Sequence, residues 1–313
     1  MEENQLEKKI VEKIDSTILQ LSDKESYKHV CYDPRWSDGP VPIPSREKLS
    51  RIVDLIREIL FPGFFGKTTV HPVTISHYMG VYVDNLFRLL VEQIYEGLCF
   101  NCKEENSDKR NAHHEAARKI SSDFISSLPE IRRKMVKDVE STYVGDPASN
   151  SRGEVIFCYP GILAISNYRI AHCLLKLGVP LIPRFICEMA HSETGIDIHP
   201  RAEIGESFMI DHGTGVVIGS TCIIGNNVRL YQGVTLGARS FPLDKSGNPI
   251  KGIPRHPIVE DNVIIYAQAT ILGRVTIGRD SVIGGNVWIT HSVPENSRIM
   301  QIKGKETSFD ERL

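Results

Sequence analysis

The sequence lacks both a long apolar run and an excess of charge of one sign. Among its 313 residues, 37 lysines and arginines face 39 aspartates and glutamates, which gives a net charge of −2 and an isoelectric point near 6.6. A general nucleic-acid-binding protein needs a basic surface, so this balance argues against a nucleic-acid partner. No stretch reaches the roughly 18 consecutive apolar residues that predict a membrane span, which argues against a membrane partner as well.

The first residues also lack the features of a secretory leader. Residues 1–15 (MEENQLEKKIVEKID) place charges on both sides of short apolar positions and contain no apolar core of a signal peptide. The cysteines are odd in number and scattered, which does not fit a disulfide framework in a chain of this length. The seven are Cys31, Cys99, Cys102, Cys158, Cys173, Cys187 and Cys222. We therefore expect a soluble, unprocessed protein in the reducing cytoplasm.

One pair of cysteines, Cys99 and Cys102 in the string CFNC, has the spacing of a redox or metal-binding motif. The sequence contains no second CxxC, and the pair stands at the end of a predicted helix. Two ordinary cysteines at a helix end are the simpler interpretation, and the role of the pair is left open.

Apolar positions in the first half of the chain recur at helical spacing. Start and stop signals bound one helix at Ser45 and Pro62, and Pro129 is predicted to end one helix and to start the next, which runs toward Gly145. The other helical stretches are about 82–100, 117–128, 159–177 and 180–191. The sequence therefore predicts an all-α domain over residues 1–194.

From Gly195 onward, pairs of small or apolar residues recur every sixth position. They are Ile196 and Ile198, Ala202 and Ile204, Phe208 and Ile210, Val216 and Ile218, Cys222 and Ile224, Val228 and Leu230, Val234 and Leu236, Val263 and Ile265, Ala269 and Ile271, Val275 and Ile277, Ser281 and Ile283, Val287 and Ile289. A six-residue period predicts a parallel β-helix, in which each hexapeptide supplies one short strand and one turn. The predicted fold class is α+β, with the all-α domain followed by a left-handed parallel β-helix of hexapeptide repeats over 195–295 and a tail over 296–313.

The period breaks at two places. From Ile210 to Ile218 the spacing is eight residues instead of six, with the extra residues around Asp211 and His212. A polar segment rich in glycine and proline, about 238–257, also interrupts the repeat and predicts a loop that leaves the coil. Function concentrates in loops on a rigid scaffold, so both breaks are candidate sites.

His212 is the candidate base at the first break. Transfer of an acyl group to an alcohol needs a base that takes the hydroxyl proton, and a histidine beside a carboxylate is a common solution. An Asp-His pair that only decorates a turn is the alternative, and the sequence alone leaves both interpretations open.

Four strings resemble a known family. They are IDIHPRAEIG (196–205), IDHGTGVVIG (210–219), YQGVTLG (231–237) and RHP (255–257). Over roughly 146–302, about half of the chain, the sequence resembles the serine acetyltransferases of the hexapeptide-repeat acyltransferase superfamily. The resemblance implies transfer of an acetyl group from acetyl-CoA to the hydroxyl of L-serine, the first step of cysteine biosynthesis from serine, and inhibition by L-cysteine.

The resemblance also assigns the catalytic and cofactor positions. His212 matches the catalytic base of the family, and Asp197 matches the aspartate that orients it. Acetyl-CoA is expected along a groove between neighbouring prisms, with backbone amides stabilising the oxyanion and no metal required. The residues expected near acetyl-CoA are Gly237, Ala238, Ala267 and Gly273.

The substrate positions follow in the same way. Asp146 and Asp211 resemble the carboxylates that hold the serine ammonium, Arg255 resembles the residue that binds the serine carboxylate, and His256 resembles its neighbour in the substrate loop. An amino acid zwitterion needs anions at one end and a cation at the other, so this set of residues makes physical sense.

The resemblance implies partners as well. A homotrimer is expected because the groove needs residues from two prisms, and a dimer of trimers is the further possibility. Many members end in an isoleucine that inserts into O-acetylserine sulfhydrylase, whereas this chain ends in Leu313 preceded by Arg312. Complex formation with that enzyme is therefore left open.

Three other functions remain as alternatives. A hexapeptide acyltransferase for a sugar or an antibiotic hydroxyl would share the coils and the base but would not need Asp146 and Arg255. A zinc hydratase resembling γ-carbonic anhydrase would need converging histidines such as His199, His212 and His291, whose spacing is not that of the family. A purely structural scaffold would leave the acid, base and arginine at the breaks unexplained.

Overall fold

The computed structural model describes residues 2–27, 43–66, 71–100, 102 and 107–301. Cys31 and the part of the tail after residue 301, which includes Leu313, lie outside the described residues. A helical half is followed by a parallel β-helix, which confirms the predicted fold class. None of the helices within these ranges is long and apolar enough to cross a membrane.

The helical half precedes residue 195. Its helices are α1 (Glu2–Ser22), α2 (Lys24–Tyr27), α3 (Arg46–Leu60), α4 (Ile75–Phe100), α5 (Ser107–Gly145), α6 (Arg152–Cys158), α7 (Pro160–Lys176) and α8 (Ile182–Thr194). As predicted, α3 begins after Ser45, whose Oγ accepts a hydrogen bond from the backbone N–H of Lys48 at 3.4 Å. Cys99 is buried near the end of α4, with its Sγ 3.8 Å from His113 Nδ1.

Helix α5 runs without a break through Pro129, so the predicted restart at this proline was wrong. Ser127 Oγ donates a hydrogen bond to the carbonyl of Phe124 at 2.6 Å just before the proline. Phe124, Leu128 and Ile131 are buried on both sides of it. Burial of each such side chain is worth about 1.5–3 kcal/mol. This continuous stripe outweighs the roughly 3 kcal/mol that an interior proline costs.

The chain changes direction between α6 and α8. The predicted stretch 159–177 is α7. Tyr159 is both the C-cap of α6 and the N-cap of α7. Helix α8 begins and ends slightly later than the predicted 180–191. It ends at Thr194, and its C-cap Gly195 has a φ of +72°, the left-handed conformation that turns the chain into the first strand.

The β-helix consists of short strands that form three parallel sheets. The strands are β1 (Asp197–Ile198), β2 (Glu203–Ile204), β3 (Met209–Asp211), β4 (Val217–Ile218), β5 (Ile223–Ile224), β6 (Arg229–Tyr231), β7 (Thr235–Gly237), β8 (Ile258–Val259), β9 (Ile264–Ile265), β10 (Thr270–Leu272), β11 (Thr276–Ile277), β12 (Val282–Ile283), β13 (Trp288–Ile289) and β14 (Arg298–Ile299). Sheet 1 has the order β1-β4-β7-β10-β13, sheet 2 the order β2-β5-β8-β11, and sheet 3 the order β3-β6-β9-β12-β14.

Aliphatic side chains stack along the inside of this prism. In sheet 1 the register places Ile198 on Ile218, Ile218 on Leu236, and Leu236 on Ile271. All four are at most 2% exposed, because each coil covers the apolar residues of the coil before it. No single hexapeptide can bury its own aliphatic residue, so the stacking that the period predicts is required for stability.

Asparagines and an aspartate turn the chain at one corner of the prism. Asn227, Asn262 and Asp280 adopt positive φ angles of 55°, 61° and 58°, a conformation that short polar side chains tolerate best. Asn227 Nδ2 donates to Asn262 Oδ1 at 3.0 Å, and Asn262 Nδ2 donates to Asp280 Oδ1 at 2.9 Å. The corner is thus held by a ladder of side-chain hydrogen bonds parallel to the prism axis.

A buried ion pair joins the helices to the first coil. Arg169 on α7 binds Asp138 on α5 through two hydrogen bonds of 2.6 and 2.9 Å. Asp138 Oδ1 also accepts the backbone N–H of Phe208 at 2.9 Å, and Arg169 Nη2 donates to the carbonyl of Gly205 at 2.7 Å. These contacts fix the helical half against the coil that carries the first break of the period.

Candidate functional site

His212 lies at the corner between sheet 3 and sheet 1, directly after β3. The backbone turns tightly there, since the N–H of Gly213 donates to the carbonyl of Asp211 at 2.6 Å. His212 has a φ of 55°, and its side chain is 73% exposed. Gln268 and Asn286 turn the same corner in later coils with φ angles of 61° and 57°, so this backbone conformation belongs to the regular turn. The exposed imidazole is what makes His212 a candidate functional residue. We call this place the His212 corner.

Among the described residues, Asp211 places a carboxylate close to this imidazole. Its Oδ2 lies 3.9 Å from His212 Nε2, and its side chain is only 14% exposed. The distance is too long for a hydrogen bond. It is short enough for the partly buried Asp211 carboxylate to attract a positive charge on the imidazole.

The helical half adds a second carboxylate to the His212 corner. Asp146, just beyond α5, accepts a hydrogen bond from the hydroxyl of Tyr159 at 2.6 Å and another from the backbone N–H of Ala148 at 2.8 Å. The Tyr159 bond chiefly, then the Ala148 bond, holds the pKa of Asp146 below its usual value, and His212 is close enough to lower it further. Asp146 is therefore a fixed anion beside the histidine.

Tyr159 is a site residue that the sequence did not reveal. Its hydrogen bond to Asp146 raises the pKa of the phenol, so the tyrosine remains a donor at neutral pH. The only signal in the sequence is its place before Pro160 at the start of α7, which indicates a helix boundary and not a role in a site.

A groove leads from His212 along the prism and has a volume of about 680 Å³. It is lined by His212, Tyr231, Gln232, Ile264, Tyr266, Ala267, Val282, Gly284, Gly285, Asn286, Arg298 and Met300. The rings of Tyr231 and Tyr266 stack in successive coils with centroids 5.0 Å apart. The groove runs from the first coil to the last, roughly 19 Å at about 4.8 Å per coil. It fits a long, narrow ligand.

Arg255 and His256 lie at a different corner, between sheet 1 and sheet 2. Thr221 Oγ1 accepts the backbone N–H groups of Arg255 at 2.9 Å and of His256 at 3.1 Å. The ring of His256 packs on Gly219, where an added Cβ would come within 2.0 Å of the imidazole. We call this place the Arg255 corner.

The charges at the Arg255 corner are positive. Burial, and then the neighbouring Arg255 and Arg274, lower the pKa of His256 to about 4. His256 is therefore neutral at pH 7, and its Nδ1 accepts the backbone N–H of Thr221 at 3.1 Å. Among the described residues, no hydrogen-bond partner is found for the buried Nε of Arg255. A guanidinium with an unused donor is suited to bind a carboxylate.

The positions expected near acetyl-CoA divide between the two corners. Ala267 lines the groove that starts at His212. Gly237, Ala238 and Gly273 lie at the Arg255 corner, where the N–H of Gly273 donates to the carbonyl of Gly237 at 3.0 Å. The polar loop 238–257 leaves the prism at that corner, as predicted.

Asp197 stands on β1 and lies near α8. A ligand atom of its carboxylate is within 4.8 Å of those of Glu188 and His191, and the hydrogen bonds and ion pairs that the structure describes for His212 include none to Asp197. Its predicted orienting role stays a prediction. Two carboxylates and a histidine are suitable metal ligands, but Arg184 already forms an ion pair with Glu188, which reduces the negative charge available to a cation.

The three histidines of the zinc alternative do not meet within one chain. His199 follows β1, His212 follows β3, and His291 follows β13, so they occupy different corners or coils of the prism. The described residues contain no cluster of metal ligands that joins them.

Comparison with known proteins adds independent information. A family model described as bacterial transferase hexapeptide (six repeats) matches residues 256–291. The plasmid serine acetyltransferase of Synechococcus elongatus is 49% identical over 276 residues, which cover 88% of this chain and 86% of the relative. This match extends beyond the β-helix into the helical half.

Solved structures show the same similarity. Serine acetyltransferase 1 of Entamoeba histolytica, in complex with L-cysteine, superposes with a TM-score of 0.68 at 35% identity and covers 83% of this chain and 88% of that one. A serine acetyltransferase in complex with CoA superposes with a TM-score of 0.52 at 26% identity, covering 82% of this chain and 97% of that one.

Proposed function

Because the chain belongs to the serine acetyltransferase family, whose members are acyltransferases, we propose that it transfers the acetyl group of acetyl-CoA to the hydroxyl of L-serine. The products are O-acetyl-L-serine and CoA, which makes the reaction the first step of cysteine synthesis from serine. The observation that carries this proposal is the exposed His212 at the break of the coil, beside the two carboxylates Asp146 and Asp211.

His212 acts as the general base in this reaction. It accepts the proton of the serine hydroxyl while the serine oxygen attacks the carbonyl carbon of the thioester. The tetrahedral intermediate collapses with loss of the CoA thiolate, which takes up the proton from His212. Backbone N–H groups near the reacting carbonyl stabilise the oxyanion.

Charges at both ends of the substrate give specificity for an amino acid. Asp146 and Asp211 attract the serine ammonium and so bring the hydroxyl to His212. Arg255 binds the serine carboxylate, and the neutral His256 beside it keeps the loop in place through Thr221. A sugar has neither charge and would leave these groups unpaired, which costs affinity.

The site requires two chains. His212 and Arg255 lie at different corners of one prism, and within the described ranges no hydrogen bond or ion pair links the two groups. A small substrate therefore reaches both only if the His212 corner of one prism faces the Arg255 corner of its neighbour. A homotrimer closes three such sites by rotation. The mass of the assembly in solution distinguishes it from a dimer of trimers.

Acetyl-CoA lies in the groove that starts at His212. The length of the groove suits an extended pantetheine arm, with the thioester beside His212 and the nucleotide end toward the last coil. Ala267 belongs to this wall, and Gly237, Ala238 and Gly273 of the neighbouring prism form the opposite one. The relative solved with CoA supports a CoA thioester as the co-substrate.

L-cysteine inhibits by occupying the serine position. It differs from serine only in sulfur for oxygen, so the same carboxylates and the same arginine hold it. The relative solved with L-cysteine supports this proposal. Inhibition is expected to be competitive with serine. Binding of O-acetylserine sulfhydrylase through the tail and a cytoplasmic location stay predictions.

A thiol-release assay tests the function. Purified protein is incubated with acetyl-CoA and either L-serine or a panel of sugars, and the free thiol of CoA is measured. We expect release that depends on L-serine and is absent with sugars. Lack of turnover with L-serine would overturn the proposal, and turnover with a sugar would favour the alternative acyltransferase.

A further inference from the structure

A second cavity lies in the helical half, outside the groove that starts at His212. Its volume is about 200 Å³. Apolar side chains from the end of α3 and from α6 and α7 form most of its wall. These are Phe61, Phe65, Ile156, Phe157, Ile162 and Leu163. An apolar cavity of about 150 Å³ is already large enough to hold benzene, so a small organic molecule fits here.

Two polar side chains in the lining have donors without a partner. Ser166 is 2% exposed, and its Oγ forms no hydrogen bond with any residue that the structure describes. The buried Nε of Arg57 likewise finds no partner within the described ranges. Arg57 Nη2 donates to the neutral Asn167 at 2.8 Å, and its Nη1 is 3.8 Å from Asp54, beyond hydrogen-bonding distance. Buried donors of this kind are rare without a ligand or water.

A carboxylate is the group that these donors fit. A guanidinium and a hydroxyl supply N–H and O–H donors to the same anion, and hydrogen bonds from a charged donor to a charged acceptor are the stronger ones. Arg57 keeps its charge even though burial lowers its pKa. Its ion pair to Asp54 is 3.8 Å long, and its Nε remains without a hydrogen bond to any described residue.

One further charge narrows the class of ligand. Glu193, at the end of α8, is exposed, lines the same cavity and interacts electrostatically with Arg57. A simple carboxylic acid would be repelled by Glu193. An amino acid offers its ammonium to Glu193 while its carboxylate faces Arg57, and a compact apolar side chain fills the aromatic part.

We propose that this cavity is a binding site for a free α-amino acid with a small apolar side chain, separate from the substrate site. The carboxylate binds Arg57 Nε and Ser166 Oγ, the ammonium binds Glu193, and the side chain packs against Phe61 and Phe65.

The place of the cavity makes it an effector site. Tyr159 lines it and also donates its hydroxyl to Asp146 at 2.6 Å. A ligand that shifts Tyr159 changes how Asp146 is held and thereby the affinity for the serine ammonium. This kinetic consequence rests on the proposed function, whereas binding in the cavity does not.

Calorimetric titration of the full-length protein tests the site directly. L-leucine, L-isoleucine, L-valine and L-methionine are titrated, with 4-methylpentanoate as the acid that lacks the ammonium and 3-methylbutylamine as the amine that lacks the carboxylate. We expect saturable binding of at least one amino acid, and affinity weaker by roughly tenfold or more for both analogues.

Variants separate this cavity from the substrate site. Ser166→Ala and Arg57→Lys are expected to weaken binding by roughly tenfold or more, whereas Arg255→Ala leaves it unchanged. Ser166→Ala removes an unpartnered hydroxyl, so its thermal unfolding midpoint stays the same or rises and folding is not in doubt. Leu163→Trp fills the cavity and abolishes binding.

Any one of three results would overturn the proposal. Absence of saturable heat with all four amino acids, equal affinity for 4-methylpentanoate, or binding that is lost in Arg255→Ala but kept in Ser166→Ala would each do so. Failure of the thiol-release assay has no bearing on these titrations, so the two proposals fail separately.

Discussion

The backbone sets the direction of the His212 imidazole, which has no hydrogen bond to any of the residues that the structure describes. Its positive φ points the side chain out of the prism, and Asp211 stays 3.9 Å away. The ring is therefore open to receive a proton, as the proposed reaction requires. Such a base contributes typically 10²–10⁴-fold to a rate.

His212→Ala is expected to lower kcat by roughly 10²–10⁴-fold while the circular dichroism spectrum and the thermal midpoint stay unchanged. His291→Ala is the matched control, because His291 is an exposed histidine on the last coil, outside the groove. Steady-state kinetics of serine-dependent thiol release measures both. Unchanged turnover in the His212 variant would contradict the assignment of the base.

Tyr159→Phe removes the strongest donor to Asp146 and lets the pKa of that carboxyl rise. A carboxylate with a depressed pKa binds an ammonium until the pH falls through that pKa. In the variant, the increase in KM for serine at low pH should therefore begin at higher pH. At neutral pH the KM should rise roughly two- to tenfold, the effect of about 0.5–1.5 kcal/mol.

The pH profile of KM distinguishes this effect from a structural one. Tyr143→Phe is the control, since the Tyr143 hydroxyl has no hydrogen bond to any described residue. The ring, which the variant keeps, packs against the core and lies under the Arg152 guanidinium, 4.5 Å from the ring centroid. The pH at which KM begins to rise should change in Tyr159→Phe and not in Tyr143→Phe. An equal change in both variants, or no change in Tyr159→Phe, would contradict the role given to Tyr159.

At the scale of elements, one buried ion pair contributes to the contact of α5 and α7 with the first coil. Arg169 and Asp138 are 4% and 0% exposed. Arg169→Met leaves the Asp138 carboxylate buried without its cation, which is expected to reduce the free energy of unfolding by about 3–5 kcal/mol. Thermal unfolding at fixed protein concentration measures the loss.

An exposed pair at the same junction serves as the control for that variant. Arg133 contacts Glu206 on the first coil, with side chains that are 44% and 27% exposed. Arg133→Met should lower the unfolding midpoint far less, because water screens this pair. Equal losses of stability in the two variants would mean that burial of the Arg169–Asp138 pair does not increase its contribution to stability.

The elements differ in how well the sequence predicts them. The β-helix follows from a local rule, since every sixth residue must be apolar and the register of Ile198 on Ile218 repeats that rule in space. The course of α5 through Pro129 depends on burial against other helices, which a local pattern does not contain. Tyr159 meets Asp146 only because α5 and α7 pack together, so its contribution could not be predicted either.

At the scale of the whole molecule, the separation of the two corners makes a prediction about mixed assemblies. His212→Ala and Arg255→Ala chains are each inactive or nearly so when purified alone. When they are co-expressed, a site that takes His212 from one chain and Arg255 from the other is intact. Random mixing should restore activity at about a quarter of all sites, and at about one site in three in trimers that contain both chains.

Two affinity tags isolate the mixed assemblies, and thiol release measures their activity. Co-expression of two chains that both carry His212→Ala is the control, and it should remain inactive. Lack of recovery in verified mixed assemblies would show that each site is formed within one chain.

Among the described residues, the helices hold the first coil of the β-helix, and none packs over its last coil. Its first coil is tied to the helices through Asp138 and Arg169, whereas Met300, beside the last strand, is 66% exposed. In a stack where each coil contacts only its neighbours, amide protection falls from the anchored end to the open end. The groove connects His212 in the first coil with Arg298 in the last. A long ligand along the groove would join the coil expected to exchange fastest to the coil expected to exchange slowest. If acetyl-CoA binds there as proposed, it should slow amide exchange in the last coil more than in the first.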